Sequence, residues 1–544
     1  MILDRQIPSF LLSLVCFLPA ALAQGPPSAP PPKSNEILPL TKLSPAKPHP
    51  GLCCLSYRIS TASPECQAYF DQGLAYLYSY VYLEAARSFE TATRYDPHCA
   101  IAFWGLSRAQ DNPGSRGDAT ISLKKAQELL AHANDREKLL ITARLSEKGM
   151  MPGVGPGDRQ KQAFKSLDEL LTLYDDDEEG WFYRAKLTQS NDGMASIPYY
   201  KALLRINPLH PGANHELVHF YENIQRPSLG WKYAEKYIES SPGIPHPFHM
   251  QAHLATRLGK WDKTCDRSTH AIELERAYHK DMKVKPSDDL QYGHHLEILT
   301  LSLIHDGRFR EARAIKQEAW NDGIRQWQPW FRLHLAERDW DEALKAVAEI
   351  RKTDKITGSY LAALVYLKRG DPGRAAPEVE VLEGAYAASK TNKELEYRLW
   401  ETQGLLLYES GGVEAGLKLL ARAVEASMKN YQHHSWGNGA YYMEEWGLAA
   451  LRGGKLDVAE EAFLEALAHD PGNVRAALGL QVLCERQGRD DEAHRYDELA
   501  RRCWSRAAPT AFENERACLR KAESVTDPNI SAGQALAAPL PNSK

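Results

Sequence analysis

Surplus positive charge, long apolar runs and strand-like alternation are all scarce in this chain of 544 residues. Lysine and arginine number 66 against 71 aspartates and glutamates, a formal charge of -5. Nucleic-acid binders usually present a basic face, and no sustained basic stripe occurs, so no nucleic-acid partner is expected. Past the N-terminus no segment reaches about 18 uninterrupted apolar residues, the length a spanning helix needs, so no transmembrane anchor is expected in the mature protein. The nine cysteines form neither C-x-x-C nor C-x-x-C-H, which leaves thioredoxin-like redox chemistry and c-type haem attachment without a site.

The N-terminus differs from the rest. Arg5 precedes the apolar run Phe10–Leu18, and Ala21-Leu22-Ala23 fits a small-residue cleavage site, so residues 1–23 read as a signal peptide. Cys16 follows Val15 inside the apolar run and is poorly placed for lipid attachment. The mature protein is therefore expected to be exported, either periplasmic or secreted. In that oxidising setting Cys66–Cys99 and Cys503–Cys518 are candidate pairs, while Cys265 and Cys484 read as buried thiols. Residues 24–55 are proline-rich and read as a disordered, extended linker.

What the chain has is a repeat. Gly73, Ala85, Phe89, Ala92 and Pro97 are spaced by 12, 4, 3 and 5 residues, and Gly447, Ala459, Phe463, Ala466 and Pro471 repeat those intervals. Pro208 and Pro242 are 34 apart, and Ala459/Ala466 recur as Ala493/Ala500. This is the tetratricopeptide pattern: small residues let two helices approach, the aromatic fills the gap to the next hairpin, and proline ends the second helix. The expected fold is an all-α solenoid of about ten hairpins over residues 56–505, with register breaks near 111–160 and 276–290 and a disordered tail over 506–544. Its first helices (A) should line a concave groove, the usual place for a protein or peptide partner.

The segments "YFDQGLAYLYSYVYLEAARSF", "DPHCAIAFWGLSRA", "NPLHPGANHELVHFYE", "PHPFHMQAHLATRLGKWD" and "DPGNVRAALGL" carry a further likeness. Over about Tyr57 to Arg502 the chain resembles large exported bacterial tetratricopeptide proteins. The resemblance implies the fold and brings no agreed activity with it. The chain departs from that pattern at Val81–Leu83, where Asn-His or Trp is usual, and at Glu297, where His is usual.

The chemistry gathers in the middle, where eleven of the 19 histidines lie between His210 and His305. His215 and His219 recur 34 residues later as His249 and His253, and equivalent positions on adjacent A helices face the same way. His246, His249 and His253 form one stripe at i, i+3, i+7, and His246 and His249 are followed 48 residues on by His294 and Glu297. Imidazoles on neighbouring helices can share a transition metal such as zinc, copper or iron. Alternatively they are a hydrogen-bonded set that holds helices together or contacts a peptide. The expectation is one site built on His215, His219, His249 and His253, assisted by His246, His294 or Glu297.

His215-Glu-Leu-Val-His219 also spells the short zinc-protease signature, with Glu216 as general base in that alternative. Such a hydrolase needs a third ligand, and Glu235 and Glu239 fall on an outward-facing helix B. The 34-residue register explains both histidines without a protease. Elsewhere, "GVGPG" at 153–157 reads as a loop and "DDDEE" at 175–179 as a solvated helix start. "HHSW" at 433–436 reads as a surface loop, and Phe70 and Trp181 as core or groove aromatics.

Overall fold

The computed structural model describes residues 36–190, 193–429 and 440–521. Among them there are no strands, and 25 α-helices follow one another. Twenty-four of these pair in sequence as twelve antiparallel hairpins, each packed on the next. That is two more than the sequence pattern suggests, because hairpins such as Asp135–Glu147 with Arg159–Leu173 lack the full set of diagnostic small and aromatic residues.

The repeat signature has a direct packing meaning. Phe89 is fully buried between Gly73 and Gly105 of successive A helices, where added methyl groups would lie 2.7 and 2.6 Å from its ring. Phe463 stands the same way between Gly447 and Gly479, at 2.6 and 2.5 Å. Glycine is tolerated mid-helix here because the aromatic needs the space a Cβ would take.

The groove is built by three central A helices, Pro211–Asn223, Pro245–Arg257 and Leu290–His305, backed by Pro227–Ser240 and the long Trp261–Met282. The first two A helices carry proline in the first turn, where its missing N–H costs nothing. The expected register break near 276–290 is an overrun of Trp261–Met282 followed by a short turn at Pro286–Asp288.

The array also folds back on itself. The turn after helix Pro64–Tyr78 and the start of helix Tyr82–Tyr95 reach the central helices: Tyr237 donates to Ser79 (2.7 Å) and Tyr278 to Glu84 (2.8 Å). On the other side Trp261 Nε1 donates to Asp470 (2.9 Å), Trp504 Nε1 donates to the His305 carbonyl (2.7 Å), and His305 stacks on Trp261.

Three sequence expectations need correction. The described part of the proline-rich segment, from residue 36, is a packed strap, not a free linker. Leu38, Leu43, Leu52 and Leu55 are buried, Thr41 is held by Glu90, and the Cys54 N–H donates to the Ser240 carbonyl (2.8 Å). The supposed tail begins with a helix, Pro509–Lys521, whose Phe512 and Leu519 are buried and whose Glu515 accepts from Arg475 (2.7 Å). At the acidic run, Asp177 caps helix Glu178–Gln189, and Glu179 is buried against Arg108 (2.6 Å), so neither is a solvated acid. Phe70 is core, whereas Trp181 is half-buried. Residues 1–35, 433–436 and the end of the tail lie outside the described residues. No helix among the described residues is long and apolar enough to cross a membrane.

No disulfide joins any of the eight described cysteines to another. Cys66 and Cys99 nevertheless adjoin, each with its sulfur within 4.8 Å of the other and of an Asp96 oxygen.

Candidate metal centre

His215, His219, His246, His249, His253 and His294 come together on the inner face of three successive A helices. They do not form the single four-imidazole site expected from the register. One nitrogen from each residue falls into three overlapping groups, with ligand atoms mutually within 4.8 Å. These are His215/His219/His246, His246/His249/His295 and His249/His253/His294. No group combines His215 or His219 with His253. Glu297 joins none of them; it is partly exposed, 3.7 Å from His294 Nδ1.

The outer contacts fix how several rings present themselves. His215 Nδ1 donates to the Tyr78 carbonyl (2.7 Å), since a carbonyl can only accept, and this leaves Nε2 as the lone-pair nitrogen. His253 Nδ1 lies 3.3 Å from Glu222, which also accepts from Arg257 (3.3 Å). His295 Nδ1 lies 2.9 Å from Glu275. His215 and His253 thus have an oxygen at Nδ1 and another imidazole at Nε2, the outer-shell pattern of metal-ligating histidines, whereas His295 Nδ1 is near Glu275 without hydrogen-bond geometry. Inside, His215 and His246 meet Nε2 to Nε2 at 3.0 Å, and His249 and His253 at 2.8 Å. His246 Nδ1 and His219 Nε2 are buried without a hydrogen-bond partner among the described residues.

Burial sets the charge state. It pushes His215, His246 and His249 well below the usual histidine range, and neighbouring imidazoles add to the effect. Burial lowers His219 and His253 too. Glu222 goes the other way: burial raises it, but His253 and Arg257 outweigh that and bring it down to about 2. The result is neutral imidazole beside fixed carboxylate, the form that binds a cation.

Glu216 has a different task. Its carboxylate accepts from Tyr80 (2.7 Å), Lys186 (2.8 Å) and Gln189 (3.0 Å), and Lys186 helps hold its pKa low against burial. A general base needs a free lone pair and a pKa near the working pH; Glu216 offers neither, and instead ties helix Glu178–Gln189 to the groove. Glu235 and Glu239 are exposed and bonded to Trp231 and Lys236. They supply no third ligand.

Sequence reasoning missed His295, Glu222, Glu275 and Tyr80. Tyr80 sits at φ +59° in the turn after helix Pro64–Tyr78, with its ring 4.5 Å from His215 and 5.8 Å from His246. Two cavities flank the cluster. One of about 720 Å3 is lined by Tyr80, Tyr82, Tyr278 and Glu275, and one of about 390 Å3 by His294, Glu297, Arg332 and Arg398.

A tetratricopeptide-repeat family model matches residues 70–115 and 444–510. The fold is a tetratricopeptide-type solenoid. Among solved structures it is similar to the human IFIT1 dimer with PPP-AAAA, at 14% identity and TM-score 0.29, over 79% of this chain and 90% of that one. A second similar structure, the human IFIT1 dimer with m7Gppp-AAAA, gives 14% identity and TM-score 0.30 over 81% and 90%. No curated protein matches the sequence. The matched stretches lie at the two ends of the solenoid and include none of the clustered histidines, although Tyr78 and Tyr80 of the first touch His215.

Proposed function

We propose that this solenoid is an exported binding scaffold whose concave groove engages a protein or peptide partner and holds a transition metal, zinc, copper or iron, on its central histidines. One observation carries the metal reading. Two rings, His215 and His253, each have Nδ1 against an oxygen and Nε2 against another imidazole, within histidine triads whose ligand atoms lie within 4.8 Å of one another. Packing alone requires no such convergence of imidazole nitrogens, and imidazole is a ligand that suits all three metals.

The partner reading rests on the repeat type and the flanking cavities. The larger one is lined by five carboxylates, Glu84, Glu275, Asp281, Asp288 and Asp289, against Lys47. That charge disfavours a polyanion and supports a partner other than nucleic acid. Export rests on the N-terminal sequence pattern.

The test is metal analysis of full-length protein purified without a histidine tag, then loaded with Zn2+ and desalted. Wild type should retain metal. His215→Ala/His249→Ala removes a member from each of the three groups and should retain none, with unchanged helical content by circular dichroism. Equal retention by the variant, or none by wild type, removes the metal from this reading.

A further inference from the structure

The three histidine groups share members, and the sharing restricts how many ions they can hold. His246 belongs to the first and middle groups, and His249 to the middle and last. Each ring offers one ligand nitrogen, so an ion in the middle group excludes both of the others. The first and last groups have no residue in common and can fill together. The cluster therefore has two exclusive occupancies, one ion in the middle or one at each end.

Nitrogen spacing chooses between them. Two imidazole nitrogens on one tetrahedral ion, with bonds of about 2.0–2.1 Å, lie roughly 3.3 Å apart. Two contacts come near that distance, His215–His246 at 3.0 Å and His249–His253 at 2.8 Å. One falls wholly in the first group and the other wholly in the last; the middle group contains neither.

We propose that the cluster holds two ions at once, one on His215, His219 and His246 and the other on His249, His253 and His294. This rests on the metal-binding reading above and adds its stoichiometry and ligand sets. Each ion has three protein ligands and an open position, the arrangement that admits water or a small ligand. The two centres differ in access. The first lies under the Tyr80 ring, whereas His294 lines the smaller cavity and is about one-third exposed. The second centre is the exchangeable one. His295, held by Glu275, stands between them and ligates neither ion.

Cobalt(II) titration of chelator-stripped, full-length protein tests this, because its visible absorption reports coordination as ions bind. Wild type should take up two equivalents, and a competing chelator should remove one before the other. His219→Ala and His294→Ala, substitutions at the least buried member of each end group, should each lower uptake to one equivalent. His295→Ala should leave it at two. A single equivalent in wild type that survives His219→Ala and His294→Ala but is lost in His295→Ala would place one ion in the middle group and overturn the proposal. No uptake at all would overturn this proposal together with the metal reading beneath it. Should His295→Ala fail to fold, the other two variants still decide, since the middle-group arrangement predicts no loss from either.

Discussion

His210 shows what burial does to an imidazole in this groove. It is fully buried at the N-cap of helix Pro211–Asn223, where Nδ1 accepts from the Ala213 N–H (3.1 Å), and its ring lies against Tyr78 and Phe182. Burial, with a smaller push from the Arg108 guanidinium, takes its pKa down to about 3. An unfolded histidine titrates near 6.5, so as the pH falls the unfolded chain takes the proton first. The contribution to stability is complete above about 6.5 and is lost progressively toward 3. At pH 5 the loss is about 2 kcal/mol from this residue alone. Urea unfolding measured from pH 7.5 to 4.5 should show a shallower pH dependence in His210→Asn, which keeps a capping acceptor. An unchanged slope would mean His210 titrates alike in the folded and unfolded chain.

At the scale of elements, the repeat signature makes a contrast testable within one fold. Gly479→Ala places a methyl group 2.5 Å from Phe463 and should cost about 1–3 kcal/mol through overpacking. Gly384, in helix Pro372–Ala388, has open space where its Cβ would be, so Gly384→Ala should be neutral or stabilising by up to about 1 kcal/mol. Thermal unfolding of the two variants checks both, and a destabilised Gly384→Ala with a neutral Gly479→Ala would refute the packing account.

The same signature explains what could be read from sequence. Phe89 and Phe463, with their paired glycines, announce the end repeats plainly, whereas several middle hairpins pack through ordinary Leu and Ala and carry no such mark. The histidine stripe was legible because a 34-residue repeat puts equivalent positions on one face. His295 was not, since the overrun of helix Trp261–Met282 shifts the register after residue 282 and disguises which neighbour of His294 turns inward. Glu222, Glu275 and the Tyr78 carbonyl were invisible because their roles arise only when helices dock. The proline-rich strap hid its leucines in a composition that suggests no packing.

At the scale of the molecule, the solenoid departs from a chain of neighbour-only contacts. Trp261 Nε1 satisfies Asp470, 209 residues away, in a buried setting where burial has raised that carboxyl to about 7. Trp261→Phe keeps the ring but leaves the acid short of a donor, at about 1–3 kcal/mol. Its effect should appear in the central and the C-terminal hairpins alike when protection is followed by hydrogen exchange. Loss confined to the central hairpins would mean the two parts open independently.

One contact links folding to ligand chemistry. The carbonyl that orients His215 belongs to Tyr78, 137 residues earlier, at the end of the first helix. On the proposed metal reading, a chain whose first hairpin has not yet docked has all its histidine ligands but lacks the outer contact that orients His215. An ion bound by the docked state acts as a fastener between the beginning and the middle of the array, adding stability in proportion to the logarithm of its free concentration. Loading then records a completed superhelix: a molecule with its leading hairpin displaced would hold the ion less tightly, however well formed each repeat is.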